Sequence, residues 1–192
     1  MDAAGHFPAL HASFNEWMGA HDEVWSFELL ASGEAQIPNR LDVLVYVKKS
    51  HDEDTVFCTA GLSEHVHPGP VPRIELGFTV NQAFSTESRQ QWARALADFA
   101  VVPFRDQAPL RSNMIIEGRT FAPWNAMDAT WITDWFFDGE EYWNDAGNRP
   151  RIFRAWGLYD DEAQHVLDDG MQAALGYFSG RGIKLGDFSR SR

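Results

Sequence analysis

The sequence predicts an α+β fold, a β-sheet with α-helices packed against it. Three observations carry this. Short runs of β-branched or alternating apolar residues recur along the chain. Longer stretches with helical apolar spacing separate them. The order of the two kinds is neither a regular βαβ series nor an all-β series.

The elements follow in order. Residues 8–18 predict a helix: Pro8 suits a first turn, and Leu10, Phe14 and Trp17 recur at helical spacing. Residues 24–30 predict a strand from the spacing of Trp25, Phe27 and Leu29, with turns at 32–34 and 37–39. Residues 41–47 are nearly all apolar, the pattern of a strand covered on both faces. The polar stretch 48–54 reads as a hairpin loop and 55–60 as the returning strand. A small-residue corner, Gly61-Leu62-Ser63-Glu64, leads to a loop in which Pro68, Pro70 and Pro72 hold the chain extended, and 73–80 resumes as strand.

Ser85 or Thr86 is placed to cap the next helix. Glu87 suits its N-terminal dipole, Trp92, Leu96 and Phe99 form its buried stripe, and Pro103 closes it. Residues 112–117 predict a short strand and 121–128 a loop. Residues 130–138 and 151–158 predict a strand pair joined by the acidic stretch 139–150. Asp160 or Asp161 starts the last helix, Val166, Met171, Leu175 and Phe178 give it an apolar side, and Gly180 and Gly182 stop it. The tail, 183–192, is expected to add a short edge strand before fraying. No internal repeat or low-complexity segment interrupts this, and residues 1–192 read as one domain.

The chain has 192 residues, 44% of them hydrophobic, which is enough for a buried core and argues against disorder. Its formal net charge is −12, so phosphate backbones and anionic membranes are repelled, and nucleic-acid or membrane partners are not expected. A basic protein partner would be attracted. A single cysteine forbids an internal disulfide. With neither a secretory leader nor a membrane-length apolar run in sight, the cytoplasm is the expected compartment.

Catalytic constellations are sparse. Glu64-His65-Val66-His67 places two histidines at i and i+2 beside a carboxylate, which could begin a metal-dependent hydrolase. A metal needs a third ligand, spacing offers none, and no metal or cofactor is expected. Cys58 lies inside a strand and reads as a small buried side chain rather than a nucleophile. Glu75 and Glu117 are expected on the wet faces of their strands. Gly180-Arg181-Gly182 follows a helix instead of preceding one, so it is no phosphate loop. Trp124, Trp131, Trp135 and Trp143 interleave with Asp128, Asp134, Asp138, Glu140 and Glu141. This reads either as core aromatics beside a solvated loop or as an aromatic hot spot ringed by negative charge. Asp160, Asp161, Glu162, Asp168 and Asp169 fit helix capping and a solvated helix side.

Several strings, in this order and spacing, resemble the suppressor-of-fused domain family. They are residues 42–46 (DVLVY), 59–64 (TAGLSE), 74–78 (IELGF), 92–99 (WARALADF), 155–162 (AWGLYDDE) and the ending 186–190 (GDFSR). The match covers most of the chain from about residue 24 to 190. The resemblance implies a mixed, mostly antiparallel sheet flanked by helices and a non-enzymatic, protein-binding role. The animal member holds a transcription-factor peptide, while stand-alone bacterial-type members are proposed as immunity proteins that neutralise a toxin domain. The animal protein clamps its peptide with a second domain, which these 192 residues, read as one domain, are not expected to include. The resemblance therefore points to an immunity protein facing a basic toxin. The alternatives are a regulatory adaptor that captures a peptide by strand addition and the hydrolase above. The expected partner-binding residues are Glu64, His65, Val66, His67, Trp131, Trp135, Asp138, Glu140 and Glu141.

Overall fold

The computed structural model describes residues 7–29, 37–47, 49, 54–65, 73–119, 127–135, 150–188 and 190. The elements are α1 (Pro8–Met18), β1 (Glu23–Glu28), β2 (Arg40–Tyr46), β3 (Thr55–Ala60), β4 (Ile74–Val80), α2 (Thr86–Ala100), α3 (Val102–Asp106), β5 (Met114–Glu117), β6 (Ala129–Asp134), β7 (Arg151–Leu158) and α4 (Asp160–Gly180). A 3-10 turn, Leu62–Glu64, forms the corner after β3.

The strands make one seven-stranded sheet in the order β1-β2-β3-β4-β7-β6-β5. Two antiparallel meanders, β1 to β4 and β5 to β7, meet along a single parallel pair, β4 with β7, in which Gly77 faces Arg154. The sheet is therefore mixed and mostly antiparallel, and the fold is α+β as expected.

Helices cover both faces. On one face α2 lies across β1 to β4 and buries Trp92, Leu96 and Phe99 among Val43, Phe57 and Phe78. On the other, α1 sets Leu10 and Phe14 against Leu44, Tyr46 and Cys58. Beside α1, α4 packs Val166 and Phe178 on Trp131 and Leu158. Covering from both sides explains β2, where Leu41 through Tyr46 are all buried. Alternation is lost there because neither face meets water.

Ser85 caps α2: the Ser88 N–H donates to its Oγ at 3.1 Å. Pro103 does not simply close α2. It opens the short helix α3, near whose start a missing N–H costs nothing. Within α4, Gly170 sits at φ 78°, ψ 170°, outside the helical region, and resets the helical phase. Leu175, expected on the apolar side, is consequently 43% exposed, while Ala174 and Phe178 are buried. The expected edge strand in the tail is absent among the described residues. Instead Asn81 N–H donates to Gly186 O at 3.2 Å, and Phe188 inserts edge-on against Phe78 and Trp92. Arg190 then anchors the tail: its guanidinium donates to Gly157 O at 2.8 Å and to Glu162 Oε2 at 2.8 Å. The loops expected over 66–72, 121–126 and 139–149 lie outside the described residues.

Candidate partner-binding site

The corner after β3 is built around a buried carboxylate. Gly61 has φ +118°, a conformation open to glycine, and the Phe7 ring occupies the space a side chain would need. Beneath it Glu75 accepts five hydrogen bonds: from the backbone N–H of Gly61 (3.0 Å), Leu62 (3.2 Å) and Ser63 (3.0 Å), and from the hydroxyls of Ser63 (2.7 Å) and Thr59 (2.6 Å). Thr59 Oγ1 in turn accepts from Leu76 N–H at 2.8 Å, so its own proton is free to point at the carboxylate. Burial pushes the Glu75 pKa up, and the donors oppose that. The expectation that Glu75 faces water is corrected: it is 0% exposed. Its carboxylate supplies acceptors for the N–H groups of the 3-10 turn, while Thr59 Oγ1 takes the Leu76 N–H of β4. Glu117 is exposed, as expected.

This corner presents the first two of the expected contact residues. Glu64 stands at the surface with its side chain 47% exposed, held at 2.5 Å by Arg73, whose Nε also donates to Ser63 O at 2.7 Å. His65 is half-buried. Burial lowers its pKa, and neighbouring Glu64 raises it. Val66 and His67 lie outside the described residues, as do Asp138, Glu140 and Glu141. No group of three His, Cys, Asp or Glu side chains placed to hold a metal occurs among the described residues.

The two tryptophans of the proposed hot spot require a correction. Trp131 is 0% exposed and Trp135 7%. Trp131 donates to Asn113 Oδ1 at 3.2 Å and packs on Phe178. Trp135 meets Trp17 edge-on and fills the space left open by Gly77, where any side chain would collide with it. Both are core residues between sheet and helix and cannot be a contact surface. Cys58 is fully buried, which drives its thiol pKa up and leaves it inert. Glu162 is not on the solvated side of α4. It is buried, accepts from Tyr159 N–H at 3.0 Å, and pairs with Arg190.

One residue escaped the sequence reading. Arg154, in the middle of β7, packs against two indoles, 3.7 Å from the Trp156 ring centre and 5.3 Å from that of Trp135. Its guanidinium donates to Thr79 Oγ1. The signal was there, an arginine between Phe153 and Ala155 in a mostly apolar strand. It borders a cleft of about 520 Å³ whose lining includes Trp17, Met18, Tyr46, Val56, Thr79 and Asp54.

No protein-family model matches the chain, and no curated protein does. Solved structures do. A protein from Neisseria gonorrhoeae described as a SUFU (suppressor of fused protein) homologue is 16% identical with a TM-score of 0.66, covering 94% of this chain and 92% of that one. The Sufu–Fu complex structure gives 13% identity and a TM-score of 0.60, over 94% and 87%. Drosophila Suppressor of Fused gives 14% and 0.56, this chain spanning 44% of its length. The architecture is thus that of an α+β domain with a two-meander mixed sheet. More particularly, it is the suppressor-of-fused fold, as the resemblance implied.

Proposed function

We propose that this chain acts by binding another protein, without making or breaking covalent bonds, and that it is a cytoplasmic immunity protein neutralising a basic toxin domain. The observation that carries the reading is the fold it shares with suppressor of fused, one of whose solved structures is a complex with a second protein, Fu. The net charge of −12 supports a basic partner, whose encounter it would accelerate. Residues 1–192 are taken as one such domain. The contact surface is assigned to Glu64 and His65, on the corner anchored by Glu75, continuing into Val66 and His67, together with Asp138, Glu140 and Glu141.

Co-expression with the protein encoded by the neighbouring reading frame tests this. The expected result is a stable complex and protection from toxicity, with association slowed several-fold by Glu64→Lys combined with Glu140→Lys and Glu141→Lys. No complex and no protection would refute the reading, as would substrate turnover abolished by one side-chain change. Capture of an extended peptide by strand addition is the second reading. It is favoured by β1 and β5, which end the sheet with no outer partner strand among the described residues. A short peptide binding as tightly as the whole partner would promote it.

A further inference from the structure

Arg154 carries an observation that the protein-binding reading leaves unused. A guanidinium has five N–H donors and is rarely buried without a carboxylate. Here no ion pair to Arg154 exists among the described residues. Among these residues it donates to the neutral Thr79 hydroxyl; the residue as a whole is partly buried, and its Nε is fully buried without a partner. Burial pushes its pKa down to about 10, against the opposing charge of Asp54. It stays cationic at neutral pH.

The surroundings have the form of a receptor. The cleft of about 520 Å³ falls within the size range of small-molecule sites. Its walls, Trp17, Met18, Val56 and Tyr46, are apolar or amphipathic, and Thr79 and Arg154 supply polarity on the sheet. On the rim Lys49 is engaged with Asp22 at 3.5 Å. Trp135 and Trp156 hold the guanidinium plane in place, so little freedom is lost when it accepts a partner.

We propose that the cleft between α1 and the β7 face binds a carboxylate carried on an aromatic or aliphatic stem, the carboxylate pairing with Arg154 and the stem lying against Trp17, Met18 and Val56. Such a group can arrive as a free small organic acid or as the carboxy-terminal residue of a peptide. Asp54 weakens binding by competing for the same cation. The chain's overall negative charge opposes the approach of any anion. Salt screens that exposed field more than the buried pair, so added salt leaves affinity unchanged or raises it.

The test uses the full chain and the indole N–H signals of its 8 tryptophans in a two-dimensional NMR spectrum. Four probes are titrated: 3-phenylpropanoate, 3-phenylpropanamide, and acetyl-Gly-Gly-Phe with a free or an amidated carboxyl. Saturable shifts of the Trp17 and Trp156 signals are expected with both acids, and binding of each amide roughly tenfold weaker or more. Tighter binding of the peptide acid assigns the source to a peptide terminus, and equal or tighter binding of phenylpropanoate to a free acid. Arg154→Gln removes the preference for acids, and Asp54→Asn strengthens acid binding a few-fold. Amides that bind as well as acids would overturn the proposal, as would the absence of saturable shifts with either acid up to about 10 mM. Should Arg154→Gln fail to fold, Asp54→Asn decides: unchanged acid affinity in that variant rejects the assignment. The cleft lining shares no residue with the surface assigned to the protein partner, so either proposal can fail alone.

Discussion

At the scale of single residues, Glu75 shows how a buried charge can organise backbone. Three backbone N–H groups and two hydroxyls converge on one carboxylate. Glu75→Gln turns one acceptor oxygen into a donor that faces other donors. We expect it to cost about 3 kcal/mol, read as a lower urea midpoint at unchanged slope. The histidines give a pH dependence with a definite sign. His21 is held below the ordinary imidazole value by burial and by His11, and His65 by burial. Between the lowered value and the ordinary one, near 6.5, the unfolded chain takes up protons that the folded chain does not. Stability contributed by these groups is thus present above that range and falls as the pH drops through it. Replacing both with Gln flattens the dependence between pH 7.5 and 5.5, measured by urea denaturation. Glu75 was misread because period-two alternation assumes that the strand's opposite face meets water. Here a turn of the chain covers it.

At the scale of elements, local signals worked where a helix end or a strand is specified by its own residues. Ser85 is the cap that its position suggests, and Ser85→Ala should cost about 1 kcal/mol in thermal denaturation. β3 and β7 span the expected residues, 55–60 and 151–158; β3 ends at Gly61, which takes a left-handed conformation, and β7 begins just after Pro150. α4 is the contrary case. By helix propensity Gly170→Ala would stabilise a helix interior. With φ 78° and ψ 170°, in a region essentially reserved for glycine, the same change is expected to destabilise by about 1–3 kcal/mol, although open space surrounds the new Cβ. A lowered melting temperature checks the sign. Nothing in the sequence around residue 170 marks this break, since glycine is tolerated in helices as well as outside them.

At the scale of the whole molecule, the two meanders and the tail are held by contacts remote in sequence. Phe188 fills space between Phe78 and Trp92, with Gly157 giving way beneath it. Phe188→Ala is expected to cost about 3–5 kcal/mol, far more than a fraying terminus allows. Its measure is the midpoint of cooperative unfolding followed by near-ultraviolet circular dichroism. The candidate site was legible only in part. Glu64 and His65 sit on a surface corner as expected, whereas Trp131 and Trp135 turned inward because α1 and α4 cover the face they occupy.

By itself, the order of residues determined the seven strands, the helices α1, α2 and α4 and the α+β class, because periodicity and capping act between near neighbours; α3 it did not mark. Only the tertiary structure decided which carboxylate is buried, that β4 and β7 run parallel, and that Arg154 packs against two indoles beside a cleft. Those outcomes depend on which surfaces shield one another from water, and the shielding groups come from segments far apart along the chain.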